Sequence, residues 1–274
     1  MNKKQLYMKN KTRLTYVNSY NGKFNWLFLP GGPGLDSSIF LDFAKSLNLP
    51  GSIWLVDLPG NGDNYTENPT PCKNWENDLL ETVQLFDNPI LVGHSYGAML
   101  ALSIPALKNY LSSFVVLHSA PQNWQHIQEK YKEKYSLPDT FPSFEKFVAH
   151  PNRENFDEAL KYQIPYCFNQ SKYGSTAINL VLSTPQPYQI LEWNAQNFFP
   201  TYEAKWIFDN IPSLIITSEN DYATPKECFK ENKKFDSKNI HFVELKEVSH
   251  FSWLEDPRQV KITFEDFAHN FLSK

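Results

Sequence analysis

Cysteine is scarce: Cys72, Cys167 and Cys228 are the only three among 274 residues, widely spaced and odd in number. They cannot build a disulfide framework and are expected as reduced, buried thiols. No CxxC or HExxH occurs, and the seven histidines do not stand at zinc-ligand spacing from Cys, Asp or Glu, so no structural metal is expected. Positive charge is not in excess either. Lys and Arg number 26 against 30 Asp and Glu, and the formal charge of −4 speaks against nucleic acid as a partner. Long hydrophobic runs are missing as well: the longest nearly apolar stretch, Ala98 to Leu107, is about half the roughly 20 residues of a membrane-spanning helix. The opening MNKKQLYMKN lacks the apolar core of a signal peptide. A soluble, cytoplasmic protein without a membrane partner is the expectation.

What is present can fill a core. With 41% hydrophobic and 15% aromatic residues, disorder is excluded and one large α/β domain, or a core with an inserted subdomain, fits the length. Short β-branched and aromatic runs alternate with longer helix-compatible segments, the pattern of a mostly parallel sheet flanked by helices. The runs are Phe24 to Leu29, Ile53 to Leu58, Ile90 to Gly93, Phe114 to Leu117, Ser213 to Thr217 and Ile240 to Leu245. Continuous apolar runs such as ILVG and FVVL suit parallel strands buried on both faces. Leu14 to Tyr20 is predicted to form an antiparallel hairpin that turns at Asn21-Gly22 and re-enters at Phe24. From Pro121 to about Phe208 the rhythm stops and the chain reads as helical and aromatic. This predicts a core of residues 1–120 and 209–274 with a helical cap inserted at 121–208. Within it, Glu129 to Lys134 (EKYKEK) reads as a solvated helix face, and the aromatic residues read singly as a small helical core, collectively as an apolar roof.

The strongest chemical signal is Gly93-His94-Ser95-Tyr96-Gly97, a GxSxG between an apolar strand-like run and the helix-compatible AMLALSIPAL. Strand, sharp turn and helix in that order lift a serine into a strained, exposed position, and Gly93 and Gly97 give strand and helix room to approach. A serine hydroxyl is a poor nucleophile at neutral pH and needs a base oriented by a carboxylate. Asp221 follows the run ending at Thr217, in Glu219-Asn220-Asp221-Tyr222-Ala223-Thr224-Pro225, where Pro225 opens the next helix; His250 follows the last run, before a helix beginning near Pro257. Glu219 and Asp236 compete with Asp221 for the acid, but Glu219 lies closer to the strand end and Asp236 precedes a strand. His118-Ser119-Ala120-Pro121 offers no carboxylate. His94 reads as lining or supporting the site, and Trp253 as packing for the C-terminal helix. Two backbone N–H groups must also face the developing oxyanion. Tyr96 supplies one, and Gly32, in Pro30-Gly31-Gly32-Pro33-Gly34, is the candidate for the other.

Taken together, Leu29 to Gly34 (LPGGPG), Asp57 to Gly62 (DLPGNG), Gly93 to Leu102 (GHSYGAMLAL), Glu219 to Pro225 (ENDYATP) and Ser249 to Pro257 (SHFSWLEDP) resemble the α/β-hydrolase superfamily, in the branch that holds the proline iminopeptidases. The resemblance spans nearly the whole chain outside the insertion. It implies an α/β-hydrolase fold, with Ser95 as nucleophile, Asp221 as acid, His250 as base, and Gly32 with Tyr96 as the oxyanion hole. Pro30 stands where that branch has the histidine of HGGPG. Proline iminopeptidases also hold the substrate's free amino terminus with acidic groups of the cap; Glu145, Glu154, Asp157, Glu158, Glu192 and Glu203 are available, and no motif selects among them. The expectation is a cofactor-independent serine hydrolase of small esters, amides or N-terminal aminoacyl compounds, with a small molecule or short peptide as its partner and an open oligomeric state. A carbon–carbon bond hydrolase or thioesterase on the same residues, a lyase, and a non-catalytic ligand-binding module are the alternatives.

Overall fold

The structure is a computed structural model, and it describes residues 4–64, 66, 68, 70–168 and 170–272, without the side chains of 170–174. Its strands are β1 (Lys4–Tyr7), β2 (Arg13–Tyr20), β3 (Asn25–Leu29), β4 (Gly51–Asp57), β5 (Pro89–His94), β6 (Ser113–Leu117), β7 (Ser213–Ser218) and β8 (Ile240–Leu245). They form one sheet in the order β1-β2-β4-β3-β5-β6-β7-β8. From β4 to β8 every neighbouring pair is parallel, while β2 runs antiparallel to both β1 and β4. Strands β5, β6 and β7 are buried along their whole length, as continuous apolar runs require of a sheet covered on both faces.

The predicted hairpin does not form. The bend at Asn21-Gly22 carries the chain from β2 to β3, but β4 lies between them, so β2 pairs with β4 through Leu14 opposite Val56 and Tyr16 opposite Trp54. The reason is burial. All of β3 except Asn25 is shielded on both faces and takes parallel partners on both sides, whereas β2 becomes exposed towards Tyr20 and belongs farther out. Strand β1 was not legible: all four residues are exposed, and only pairing with β2 defines it.

The helices are α1 (Leu41–Ser46), α2 (Trp75–Gln84), α3 (Tyr96–Leu102), α4 (Gln125–Tyr135), α5 (Phe141–Ala149), α6 (Arg153–Cys167), α7 (Gln170–Ser183), α8 (Tyr188–Asn197), α9 (Glu227–Lys230), α10 (Ser252–Glu255) and α11 (Pro257–Phe271). Alternate side chains of each central strand serve opposite faces. Trp26 and Phe28 join one core with Phe264 of α11, and Leu27 and Leu29 join the other with Trp75 of α2 and Leu100 of α3. Helix α11 buries Val260, Phe264, Phe267 and Ala268, a stripe at helical spacing, and Asp256 caps it by accepting from the Gln259 N–H. Helices α4 to α8 all lie between β6 and β7 in the chain, and Phe147, Phe156 and Ala159 form a small core of their own there. Among the described residues no helix is long and apolar enough to cross a membrane.

Candidate active site

Ser95 occupies the turn between β5 and α3 with φ 49° and ψ −118°, a conformation that L residues adopt only under constraint. The constraint is visible. The Ser95 N–H donates to Leu117 O at 3.0 Å, and its carbonyl accepts from Ser119 Oγ at 2.8 Å, so the end of β6 and the loop that follows it hold both sides of the turn. Glycine is required on both flanks: a Cβ on Gly93 would lie 2.7 Å from Ala98 Cα, and one on Gly97 2.6 Å from Pro30 O. Gly97 thus makes way for the end of β3 and the loop after it.

His250 and Asp221, carried by the loops after β8 and β7, meet with Nδ1 3.0 Å from Oδ2. Asp221 is buried and accepts three more hydrogen bonds, from the N–H groups of Ala223 and Thr224 and from Thr224 Oγ1 at 2.9 to 3.0 Å. Burial alone would raise its pKa, but His250, His118 and these donors more than offset that and hold the carboxyl below its ordinary range. A carboxylate at Nδ1 fixes the neutral imidazole with Nδ1–H, leaving the Nε2 lone pair free. Glu219 and Asp236, the competing acids, are exposed.

Two further histidines surround this pair. His94 Nε2 lies 3.1 Å from His250 O, so the ring donates there and supports the His250 backbone from below. His118, at the end of β6, is fully buried, with Nε2 2.7 Å from Ser252 Oγ and Nδ1 3.6 Å from Asp221 Oδ2. Burial first, then the neighbouring histidines, hold His94 neutral. Burial pushes His118 down to about 3 although Asp221 pulls the other way, so it is a neutral neighbour of the carboxylate and not an ion-pair partner. Trp253 packs on Phe40 and His94, with ring centroids 4.6 and 4.7 Å apart, and so supports the site's floor as well as the C-terminal helices.

The glycine loop after β3 runs beside the serine: a Cβ on Gly31 would lie 2.8 Å from Ser95 Cβ. Gly32 faces the cavity above, and Tyr96 N–H, at the first position of α3, has no carbonyl four residues back in the helix. A charge cluster, buried except for Asp63, holds the loop. Arg13 of β2 binds Asp36 at 2.7 Å, Asp57 at 2.8 Å and also Asp63; Asp57 accepts from Ser37 N–H and Oγ, and Gly62 N–H donates to Gly34 O at 2.8 Å. Burial, then Asp36, raises Asp57 to about 6 against the pull of Arg13.

Ser95, His250, Gly32 and Tyr96 line one cavity of about 550 Å³ roofed by helices α4 to α8. Its walls are mainly apolar. Trp124, Phe141, Phe144 and Phe199 face it, whereas Phe147 belongs to the small core of the helices, so the aromatic residues divide between roof and core. None of Glu145, Glu154, Asp157, Glu158, Glu192 and Glu203 lines it. Among the described residues the carboxylate that does is Glu129, whose Oε2 lies 2.5 Å from Lys132 Nζ, so α4 is not wholly a solvated face. A second depression of about 540 Å³, lined by residues such as Lys108, Glu203 and Lys234, contains none of Ser95, Asp221, His250, Gly32 and Tyr96.

A family model described as the alpha/beta hydrolase family matches residues 26–261, and the chain belongs to that family. No curated protein matches it significantly in sequence. Among solved structures, it is similar to the esterase RhEst1 from Rhodococcus sp. ECU1013 (TM-score 0.70, 15% identity, 99% of this chain and 100% of the other). It is also similar to VinJ (0.69, 17%, 98% and 99%) and to a proline iminopeptidase from Mycobacterium smegmatis (0.65, 16%, 98% and 98%). At such identities these likenesses speak to the fold.

Proposed function

We propose that the protein is a cofactor-independent serine hydrolase that cleaves small esters with apolar acyl groups, with residues 121–208 acting as a cap over the site. The reading rests on one arrangement: His250 is bonded through Nδ1 to the buried Asp221 while it lines the same apolar cavity as Ser95. In the proposed reaction Ser95 Oγ attacks the ester carbonyl carbon as His250 Nε2 takes its proton. The N–H groups of Gly32 and Tyr96 stabilise the oxyanion, each worth roughly 3 kcal/mol of barrier. The carbon–oxygen bond to the alcohol then breaks as Nε2 returns the proton to the leaving oxygen. Water, deprotonated by the same nitrogen, hydrolyses the acyl-enzyme and regenerates Ser95. Asp221 stays ionised and stabilises the imidazolium.

Esters are favoured over free aminoacyl substrates because a substrate ammonium would meet Glu129 already paired with Lys132 and, among the described residues, no other carboxylate in the lining. A hydrolysis panel of acyl esters and aminoacyl anilides, run beside Ser95→Ala, tests the reading. Ester turnover is expected, with about a million-fold loss in the variant. Retention of more than trace activity by Ser95→Ala would overturn it.

A further inference from the structure

The cavity's polar groups sort by whether the protein already uses them. Gln128 Nε2 donates to Ala223 O at 2.8 Å, in the loop after β7 and not in the glycine loop. Gln186, in the segment between α7 and α8, reaches down to the glycine loop, where Nε2 donates to Pro33 O at 2.9 Å. Because that acceptor is a carbonyl, the orientation of the amide is fixed: nitrogen towards Pro33, Oε1 away. A primary amide has two N–H groups and a carbonyl. Gln186 therefore keeps one N–H and its Oε1, with no partner for either among the described residues, although the residue is only 8% exposed. The same Nε2 would be 2.7 Å from a Cβ built on Gly32, so the amide lies against the residue whose N–H is the proposed oxyanion donor. Gln163 of α6 also lines the cavity, and its amide has no partner among the described residues.

A donor and an acceptor side by side in the cavity wall, beside the place of the scissile carbonyl, match a secondary amide, which offers one acceptor and one donor in return. A plain acyl chain would leave both unpaired on closing. We propose that the preferred substrates are esters whose acyl part is an N-acylated α-amino acid, and that Gln186 recognises their amide; the proposal rests on the serine-hydrolase reading. The apolar cavity then takes the N-acyl tail, and a free amine at the same place finds no unpaired counter-charge.

The test compares kcat/KM for ethyl esters of N-butyrylglycine, heptanoic acid and leucine, each divided by its rate with hydroxide, in the wild type, Gln186→Leu and the near-isosteric Gln186→Met. The N-acyl ester is expected to exceed heptanoate at least tenfold and the free-amine ester at least a hundredfold. Both variants should bring the first ratio close to one. If Gln186 only holds Pro33, both neutral esters lose rate alike and the ratio survives, which overturns the proposal; so does a wild type that favours heptanoate or leucine ester. A fluorophosphonate probe followed by intact mass separates the two levels. A Ser95 adduct without amide preference sinks this inference alone, whereas no adduct and no turnover sink the hydrolase reading and the inference with it.

Discussion

The carboxyl end of the sheet and the helices above it are built on different principles. At the sheet, geometry is fixed atom by atom: Asp221 accepts four hydrogen bonds, Ser95 is held through two by the end of β6 and the loop that follows it, and three glycines stand where a single added carbon would collide. In the helices α4 to α8 the contacts are looser. Helix α4 has no buried residue, Phe141 at the cavity is 58% exposed, and a core of Phe147, Phe156 and Ala159 carries much of the packing. Reaction chemistry needs sub-ångström placement, while recognition of an apolar group needs only surface of the right kind and size.

Substitutions in the two regions should therefore fail differently. The largest effect is expected for Asp221→Asn, which keeps the shape but removes the charge and the tautomer control: kcat should fall about ten-thousand-fold, as read on the best ester. Phe147→Ala should instead cost stability, about 3 to 5 kcal/mol, seen in denaturant melts, while a serine probe still labels Ser95 in the folded fraction. If that variant loses labelling in proportion to Asp221→Asn, the contrast between the regions is broken. Gly31→Ala is a sharper instrument, because its Cβ would press on Ser95 Cβ and on His94 Nδ1, 2.9 Å away. A hundredfold loss in kcat, about 2.7 kcal/mol of barrier, with KM nearly constant is expected.

The smallest effect is a pH slope. His118, lowered to about 3 by burial, stays neutral in the fold where the unfolded chain would take a proton. Its stability contribution is complete above about 6.5, the unfolded value, and is lost as pH falls towards 3, at up to about 1.4 kcal/mol per pH unit. His118→Asn should make the melting temperature less steep between pH 6.5 and 4, and an unchanged slope would show that His118 does not titrate as its burial implies.

The same contrast explains what could be read in advance. Ser95, Asp221 and His250 each follow a strand within a few residues, so local patterns locate all three; the tight turn after Asp221, closed by Thr224, is local too. Gln186, His118 and Arg13 carry no such signature. Gln186 and Pro33 are 153 positions apart, and Arg13 and Asp57 are 44 apart, so each role exists only once the sheet has closed. The hairpin was misread because Asn21-Gly22 is a sound turn signal whose strands are then separated by burial. The aromatic residues of the insertion could not be divided between roof and core, since that depends on which helix face turns down.

Arg13 gives the outermost part of the sheet a meaning that its exposure hides. One guanidinium balances Asp57 at the end of β4 and Asp36 and Asp63 on the loops beside the glycine turn, and it comes from a strand before the first parallel one. A shortened version begun at β3 would keep Ser95, Asp221, His250 and every recognisable motif, yet leave three carboxylates facing one another with no cation between them. Engineers trimming this chain, or permuting it at Asn21-Gly22, would do well to treat β2 as part of the candidate site's wiring and not as a removable fringe.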